Sequence, residues 1–252
     1  MKYSGLNTKI IGCTQERGGG AMITNSGLIS LAKNTLQREG LNTFLGKLAA
    51  FPRNFISGCM FKRFFVYKHI IIARDEAKYL PRIRDYSFHI IESHAQAEKL
   101  AGEGLNVYTG FKQAGRFLDT GAIAFCVFIG RDLAHIGWLA LNEDAKSSFE
   151  PWPYPVDFPY QGCTGGTETK KEYEGNGLMT YVYYKRFEYL RQKGIFSVKN
   201  IVETSNTASN KVHSKFNPLR KRGFYLRIGY WWQFWCEMPD KTAKLNHRER
   251  TG

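Results

Sequence analysis

Long apolar runs are missing from this 252-residue sequence. The longest, over residues 121–130, falls far short of the ~20 residues that span a bilayer, so no transmembrane helix is expected. Paired cysteines are missing as well. The five present (Cys13, Cys59, Cys126, Cys163 and Cys236) are odd in number, widely scattered and without a Cys-x-x-Cys pair. That pattern argues against a zinc site or a disulfide framework and for reduced thiols in a cytoplasmic protein. No secretory leader is evident, because residues 1–21 lack an apolar core segment and contain Gly18-Gly19-Gly20. Met22, just past that run, is a second candidate start. Internal repeats and low-complexity tracts are absent. No Gly-x-Ser-x-Gly elbow or Cys/His arrangement points to a hydrolase. The histidines do not converge on a metal site: His89 and His94 fall on either side of an expected strand–helix boundary.

Acidic residues are scarce, 22 against 36 Lys+Arg, which leaves a formal charge of +14. Such a chain attracts anions: nucleic acid, a membrane surface, or a phosphate-bearing cofactor or carrier. What the chain does have is core material, with 43% hydrophobic and 15% aromatic residues. Disorder is excluded, and one elaborated domain, or a domain with an extension, is expected.

Periodicity divides the chain into a flexible stretch over 1–21, an N-terminal extension over 22–85, a main domain over 86–237 and a polar tail over 238–252. In the extension, Leu28, Leu31, Leu36, Leu41, Phe44, Leu45 and Leu48 form the apolar stripe of an amphipathic helix. Its basic face suits a membrane or a partner, and its stripe also suits packing on the main domain. A strand is expected over 64–73. In the main domain a strand over 87–92 leads to a helix that Ser93 can cap. A second helix is expected over 111–118, and strands over 122–129 and 133–141 form a hairpin. Four prolines interleaved with Trp152, Tyr154, Phe158 and Tyr160 make an aromatic loop suited to a lid, a substrate wall or a plain connection. A helix with Met179, Tyr183, Phe187 and Leu190 on one face follows, then a strand over 198–203 and a shorter helix carrying Ala208, Val212 and Phe216. Finally, Phe224, Leu226, Ile228, Tyr230, Trp232, Phe234 and Cys236 alternate as one long half-buried strand. Periodicity thus predicts a mixed α/β or α+β domain with at least six strands.

The chemistry concentrates between Cys163 and Cys236. Gly175 and Gly177 stand just before a helix, where a tight turn leaves unobstructed amide donors and the positive end of a helix dipole, a seat for pyrophosphate. The third glycine of a dinucleotide-binding fingerprint is missing, and so is the Lys-Ser/Thr of a triphosphate loop. The order of elements from Tyr86 to Glu237, with Glu-Tyr-Glu-Gly-Asn-Gly-Leu and the later Asn206-Thr207-Ala208-Ser209, resembles the GNAT superfamily of coenzyme A-dependent N-acyltransferases.

That resemblance implies an α+β fold with a mostly antiparallel central sheet flanked by helices, here carrying a helical and strand N-terminal extension. Strands near 163–170 and 198–203 would splay to admit pantetheine. It implies acetyl-CoA or another acyl-CoA as donor, with Gly175, Asn176, Gly177, Leu178 and Met179 at the pyrophosphate. Thr167 and Thr169 would lie on the strand beside the pantetheine arm, and Asn206 and Ser209 along the cofactor's other side. His213 stands where the family often has its acidic tyrosine; Glu168 and Glu172 flank the cofactor strand as candidate bases, with Glu168 preferred because it sits further from the phosphate end. Two positions depart from the family pattern: Glu174 replaces Arg or Gln, and Met179 replaces a small residue.

Two functions are therefore expected. The first is transfer of an acyl group to a small-molecule or peptide amine, with an acidic acyl carrier protein as a further donor that the +14 charge would attract. The second is a non-catalytic basic binding protein, a degenerate GNAT domain engaging a carrier protein, anionic membrane or nucleic acid. Nucleic acid is the least favoured of these, because no aromatic RNA-binding strand motif or helix-turn-helix is present.

Overall fold

The computed structural model describes residues 59–228 and 232–239, together with Thr43. The chain divides into two compact units, residues 1–47 and 48–252. Apart from the helical Thr43, the described residues belong to the second unit. The amphipathic helix expected over 26–49 otherwise lies outside the described residues, as do the stretch over 1–21 and most of the tail over 238–252.

Eight strands form one sheet in the order β2-β3-β4-β5-β6-β1-β7-β8. They are β1 (Cys59–Ile70), β2 (Tyr86–Ile91), β3 (Ile123–Ile129), β4 (Asp132–Ala140), β5 (Gln161–Thr169), β6 (Ser197–Glu203), β7 (Leu219–Ile228) and β8 (Trp232–Pro239). Every neighbouring pair is antiparallel except β5 and β6. The fold is thus the α+β arrangement with a mostly antiparallel central sheet that the sequence leads one to expect.

Six helices are present among the described residues: α1 (His94–Gly102), α2 (Val107–Gly110), α3 (Ala114–Asp119), α4 (Glu143–Phe149), α5 (Leu178–Gln192) and α6 (Thr207–Ser214). Their starts follow from local chemistry. Ser93 Oγ accepts from Gln96 N, and Asn142 Oδ1 accepts from Ala145 N with Glu143 and Asp144 in the first turn of α4. Helices α2, α3 and α4 pack with the aromatic loop after α4 on one face of the sheet, around Trp138, Phe117, Phe128 and Tyr154. Helix α5 covers the other face with Val182, Phe187 and Leu190 against Phe125, Leu139 and Val198.

One feature answers a question the sequence leaves open, whether residues 22–81 join the main sheet, and one differs from the sequence expectation. The strand assigned to an N-terminal extension is internal to the sheet: β1 pairs with β6 along one edge and β7 along the other. Phe64 and Val66 are buried on one face and Tyr67 and His69 on the other, so β1 carries none of the clean alternation that would reveal its place. The final alternating run is a hairpin of β7 and β8. Phe224 pairs with Cys236 and Ile228 with Trp232. Strand pairs that lie directly opposite share a face, so the even spacing of the apolar residues survives the fold-back and mimics one long strand.

Candidate active site

Strand β5 runs alongside β6 for only three residue pairs, from Gln161 with Ser197 to Cys163 with Lys199. Beyond Cys163 the two part. β6 stays with β1 through Glu203, while β5 stays with β4 as far as Thr169. Among the described residues, one backbone edge of β5 beyond Cys163 therefore has no strand against it. Within this stretch β5 bulges. Trp138 pairs with Gly165 and Ile136 with Glu168, so Gly166 and Thr167 together oppose Gly137. Gly166 sits at φ +53°.

Strand β5 leads through a short turn over Lys171–Tyr173 into Glu174-Gly175-Asn176-Gly177 and then α5. Gly177 is the N-cap of α5, at φ +84° in the left-handed region, and no side chain caps the helix there. Asn176 Nδ2 folds back on the carbonyls of Tyr173 (3.1 Å) and Glu174 (3.3 Å). Arg82 N donates to Asn176 O at 2.9 Å and pins the turn to the segment before β2. Lys215, just past α6, reaches Thr180 Oγ1 in the first turn of α5 at 3.3 Å. A cation there adds to the field at the start of α5.

The residues expected to act fall into three groups. Gly175, Asn176, Gly177, Leu178 and Met179 come together at the start of α5, with Leu178 buried and Met179 half-buried. Thr167, Glu168 and Thr169 lie on the stretch of β5 that has parted from β6. Thr167 Oγ1 accepts from Arg186 (3.2 Å) and Thr169 Oγ1 meets His135 Nδ1 (2.6 Å), both on the α5 side of the sheet. Glu168 is exposed and lines a shallow cleft with Gly110, Leu133 and Lys170. Asn206 and Ser209 are first of all a capping pair, with Asn206 Oδ1 accepting from Ser209 N at the start of α6.

His213 does not have the surroundings of a proton donor. Its exposure is 0%. Nδ1 lies 3.0 Å from His69 Nε2, and Nε2 lies 3.0 Å from Asn200 Nδ2. The rings of Tyr67 and Tyr183 stand 4.7 Å away on two sides. Burial, together with His69 and Arg186, holds its pKa well below the usual histidine value, so the imidazole is neutral near pH 7 and has no acidic proton to give.

Sequence reasoning missed three buried ionisable side chains, Lys146, Glu150 and Arg186. Arg186 on α5 is fully buried and lies directly over Gly137, where a Cβ would stand 1.5 Å from Nη2. Its guanidinium is 4.7 Å from the centre of the Tyr183 ring, and among the described residues Nε and Nη1 have no hydrogen-bond partner. Glu150, at the end of α4, is 9% exposed, and burial pushes its carboxyl up to about 8 against the pull of Lys146. The signal for Arg186 was its place on the apolar stripe of α5, one residue from Phe187. Glu150 carried none, because α4 is too short to show a period.

No known family model matches the chain, and no curated protein does. Among solved structures, a tandem GNAT protein from the clavulanic acid biosynthesis pathway is similar over 76% of this chain and 59% of its own, with 15% identity and a TM-score of 0.46. A GCN5-related N-acetyltransferase-like protein from Streptococcus suis is similar over 74% of this chain and 69% of its own, with 11% identity and a TM-score of 0.44. An acetyltransferase of the GNAT family from Colwellia psychrerythraea is similar over 67% of this chain and 56% of its own, with 11% identity and a TM-score of 0.42.

Proposed function

We propose that this protein is an N-acyltransferase that takes an acyl group from acetyl-CoA or another acyl-CoA and gives it to an amine. The observation that carries the reading is the parting of β5 from β6 after Cys163. Among the described residues it leaves an unpaired strand edge that a pantetheine arm, itself a chain of amides, can pair with. The uncapped start of α5 at Gly177 follows from the same strand and offers amide donors to the pyrophosphate, with Lys215 close by. Backbone amides do the gripping there, so the exposed Glu174 weakens binding without abolishing it.

In this reading the thioester lies along the open edge of β5 near the Gly166–Thr167 bulge. Positioning supplies much of the rate. Glu168 is accessible on the same strand and can serve as a proton acceptor. His213 acts as part of the wall, holding Tyr67 and Tyr183 in place.

Calorimetric titration of the purified chain with coenzyme A and acetyl-CoA, repeated on Gly177→Trp, tests the reading. One site in the wild type, lost in the variant, is the expected result. An absence of binding in the wild type would sink it. A non-catalytic binding domain, the second reading, draws on the neutral, enclosed His213. It predicts coenzyme A binding with no thiol release from acetyl-CoA for any amine.

A further inference from the structure

Six large apolar side chains are exposed among the described residues, and five of them gather at one end of the sheet. They are Ile70, Ile72, Tyr160, Phe196 and Leu219, from 49% exposed at Ile70 to 73% at Tyr160. The topology brings them together. Four adjacent strands, in the order β5-β6-β1-β7, have an end there. β5 starts at Gln161, β6 at Ser197 and β7 at Leu219, while β1 finishes at Ile70. Ser197 pairs with both Gln161 and Ile70, and Lys68 pairs with Leu219. Ile71 N donates to Phe196 O at 2.9 Å, and Tyr160 immediately precedes β5. Residues directly opposite share a face, so Ile70, two residues from Lys68, lies on the same face as Leu219. Each of the four strands thus presents a large apolar side chain to solvent at the same end. Single exposed apolar residues are ordinary, whereas a contiguous set marks an interaction surface.

The charge around this end points to the partner. Lys68 and Lys221 lie on the face that carries Ile70 and Leu219, and the exposed Lys193 stands three residues before Phe196. Among the described residues neither Lys68 nor Lys193 pairs with a carboxylate, and Lys221 meets Glu237 only at 3.7 Å. The exposed acids nearest along the chain are Asp75 and Asp157, and Asp75 is engaged in capping the turn after β1. The whole chain carries +14. A second copy would bring the same excess of positive charge against the patch. A bilayer with anionic headgroups offers opposite charge and apolar depth together.

We propose that this end of the sheet docks on an anionic lipid surface. Ile70, Ile72, Phe196 and Leu219 enter the headgroup boundary, and the lysines meet lipid phosphates. Tyr160 has the ring, apolar with a polar tip, that favours that boundary. The contact is peripheral, since no helix among the described residues is long and apolar enough to cross a membrane. It is also independent of the acyl-transfer reading. Helix α5 runs for 15 residues from the turn at Gly177 to Gln192, four residues before Phe196. That length, about 22 Å, keeps the turn away from the lipid and open to water.

Sedimentation of the full chain with vesicles tests the proposal, using phosphatidylcholine alone and phosphatidylcholine with one-third phosphatidylserine. The chain should pellet with the mixed vesicles and stay in the supernatant with phosphatidylcholine alone. Ile72→Glu combined with Phe196→Glu should weaken that binding about tenfold or more. The urea midpoint should not move, because both side chains already face water. Leu80→Glu makes the same change at the sixth exposed apolar residue, beside Pro81, whose Cα would stand 4.0 Å from a Cβ on Gly177. It should leave vesicle binding unaltered. Lys68→Ala with Lys193→Ala should weaken binding several-fold at low salt and less at high salt. Coenzyme A titration should be the same in the Ile72→Glu, Phe196→Glu chain as in the wild type, so the two readings fail separately. Absence of wild-type binding to mixed vesicles overturns the docking surface. So does equal binding by the Ile72→Glu, Phe196→Glu chain, or an equal loss in Leu80→Glu, which would mean adsorption by charge alone. A dimer in sedimentation velocity that those two substitutions dissociate, without vesicle binding, would assign the surface to a second copy instead.

Discussion

His69 and His213 share a hydrogen bond in the interior between β1 and α6, with Nε2 of the first 3.0 Å from Nδ1 of the second. Asn200 Nδ2 donates to His213 Nε2, so the His213 proton sits on Nδ1 and is donated to His69 Nε2. The remaining proton of His69 is then on Nδ1, which finds no acceptor among the described residues. Protonating either ring would set N–H against N–H or against the Asn200 amide. The pair is built to be neutral.

Acid should therefore unfold this protein early. Burial lowers His69 and His135 to about 3, and His213 moves in the same direction. Below about 6.5 the unfolded chain binds these protons and the folded chain does not, so stability falls as pH drops. Each histidine costs about 1.4 kcal/mol per pH unit over that window. Glu150 opposes this with one group, since its raised pKa stabilises the fold as pH falls from about 8 towards the usual carboxylate range. Three groups outweigh one. Urea midpoints measured from pH 4.5 to 8.5 should peak near pH 6.5 and fall steeply on the acid side, and His69→Phe should flatten that limb. A plateau from pH 7 to 5 would contradict the neutral pair.

Gly137 and Arg186 should behave as one unit. A Cβ at position 137 would stand 1.5 Å from Nη2 and 2.6 Å from Cζ of a fully buried guanidinium. Gly137→Ala should cost about 2–3 kcal/mol, the scale of core overpacking. Arg186→Met removes a buried charge that lacks full pairing and should be close to neutral. Combined with it, Gly137→Ala should cost less than about 1 kcal/mol, giving a clear coupling in a denaturant double-mutant cycle. Additive effects would show that the guanidinium lies elsewhere.

Lys215→Ala should leave folding intact, because the side chain is exposed and its contact with Thr180 is long. Coenzyme A affinity should fall about two- to fivefold through the lost field at the start of α5. The salt dependence of binding should weaken at the same time. Calorimetry at two ionic strengths checks both, and an unchanged Kd at low salt would remove Lys215 from the site.

Much of this architecture was legible in the sequence. Ser93, Asn206 and Gly177 mark helix starts, and α1, α6 and α5 begin at the next residue. The β3–β4 hairpin follows from two runs of β-formers around Gly130-Arg131, and Ile129 pairs with Asp132. The turn at Gly175–Gly177 was visible because glycine has few other reasons to recur just before an apolar helix. Partner choice was not legible. Nothing in residues 59–70 states that they pair with residues 197–203 and 219–228, because a strand buried on both faces loses its period. Side-chain direction was lost for a related reason. His213 has the spacing of an exposed helical residue, and only its tertiary neighbours turn it inward.

The central place of β1 has a consequence for how the chain is made. Lys62 meets Glu203, 141 residues further on, and Phe64 lies between Glu203 and Gly223. Neither edge of β1 finds its neighbour until most of the polypeptide has left the ribosome. For that interval an aromatic strand waits with two open ladders, the state most open to pairing with the wrong chain. Contacts this distant in sequence also slow the final search. Synthesis interrupted before residue 197 would leave β2 to β5 able to assemble and β1 stranded, so nascent chains of this protein should depend on holding factors up to the last third of translation.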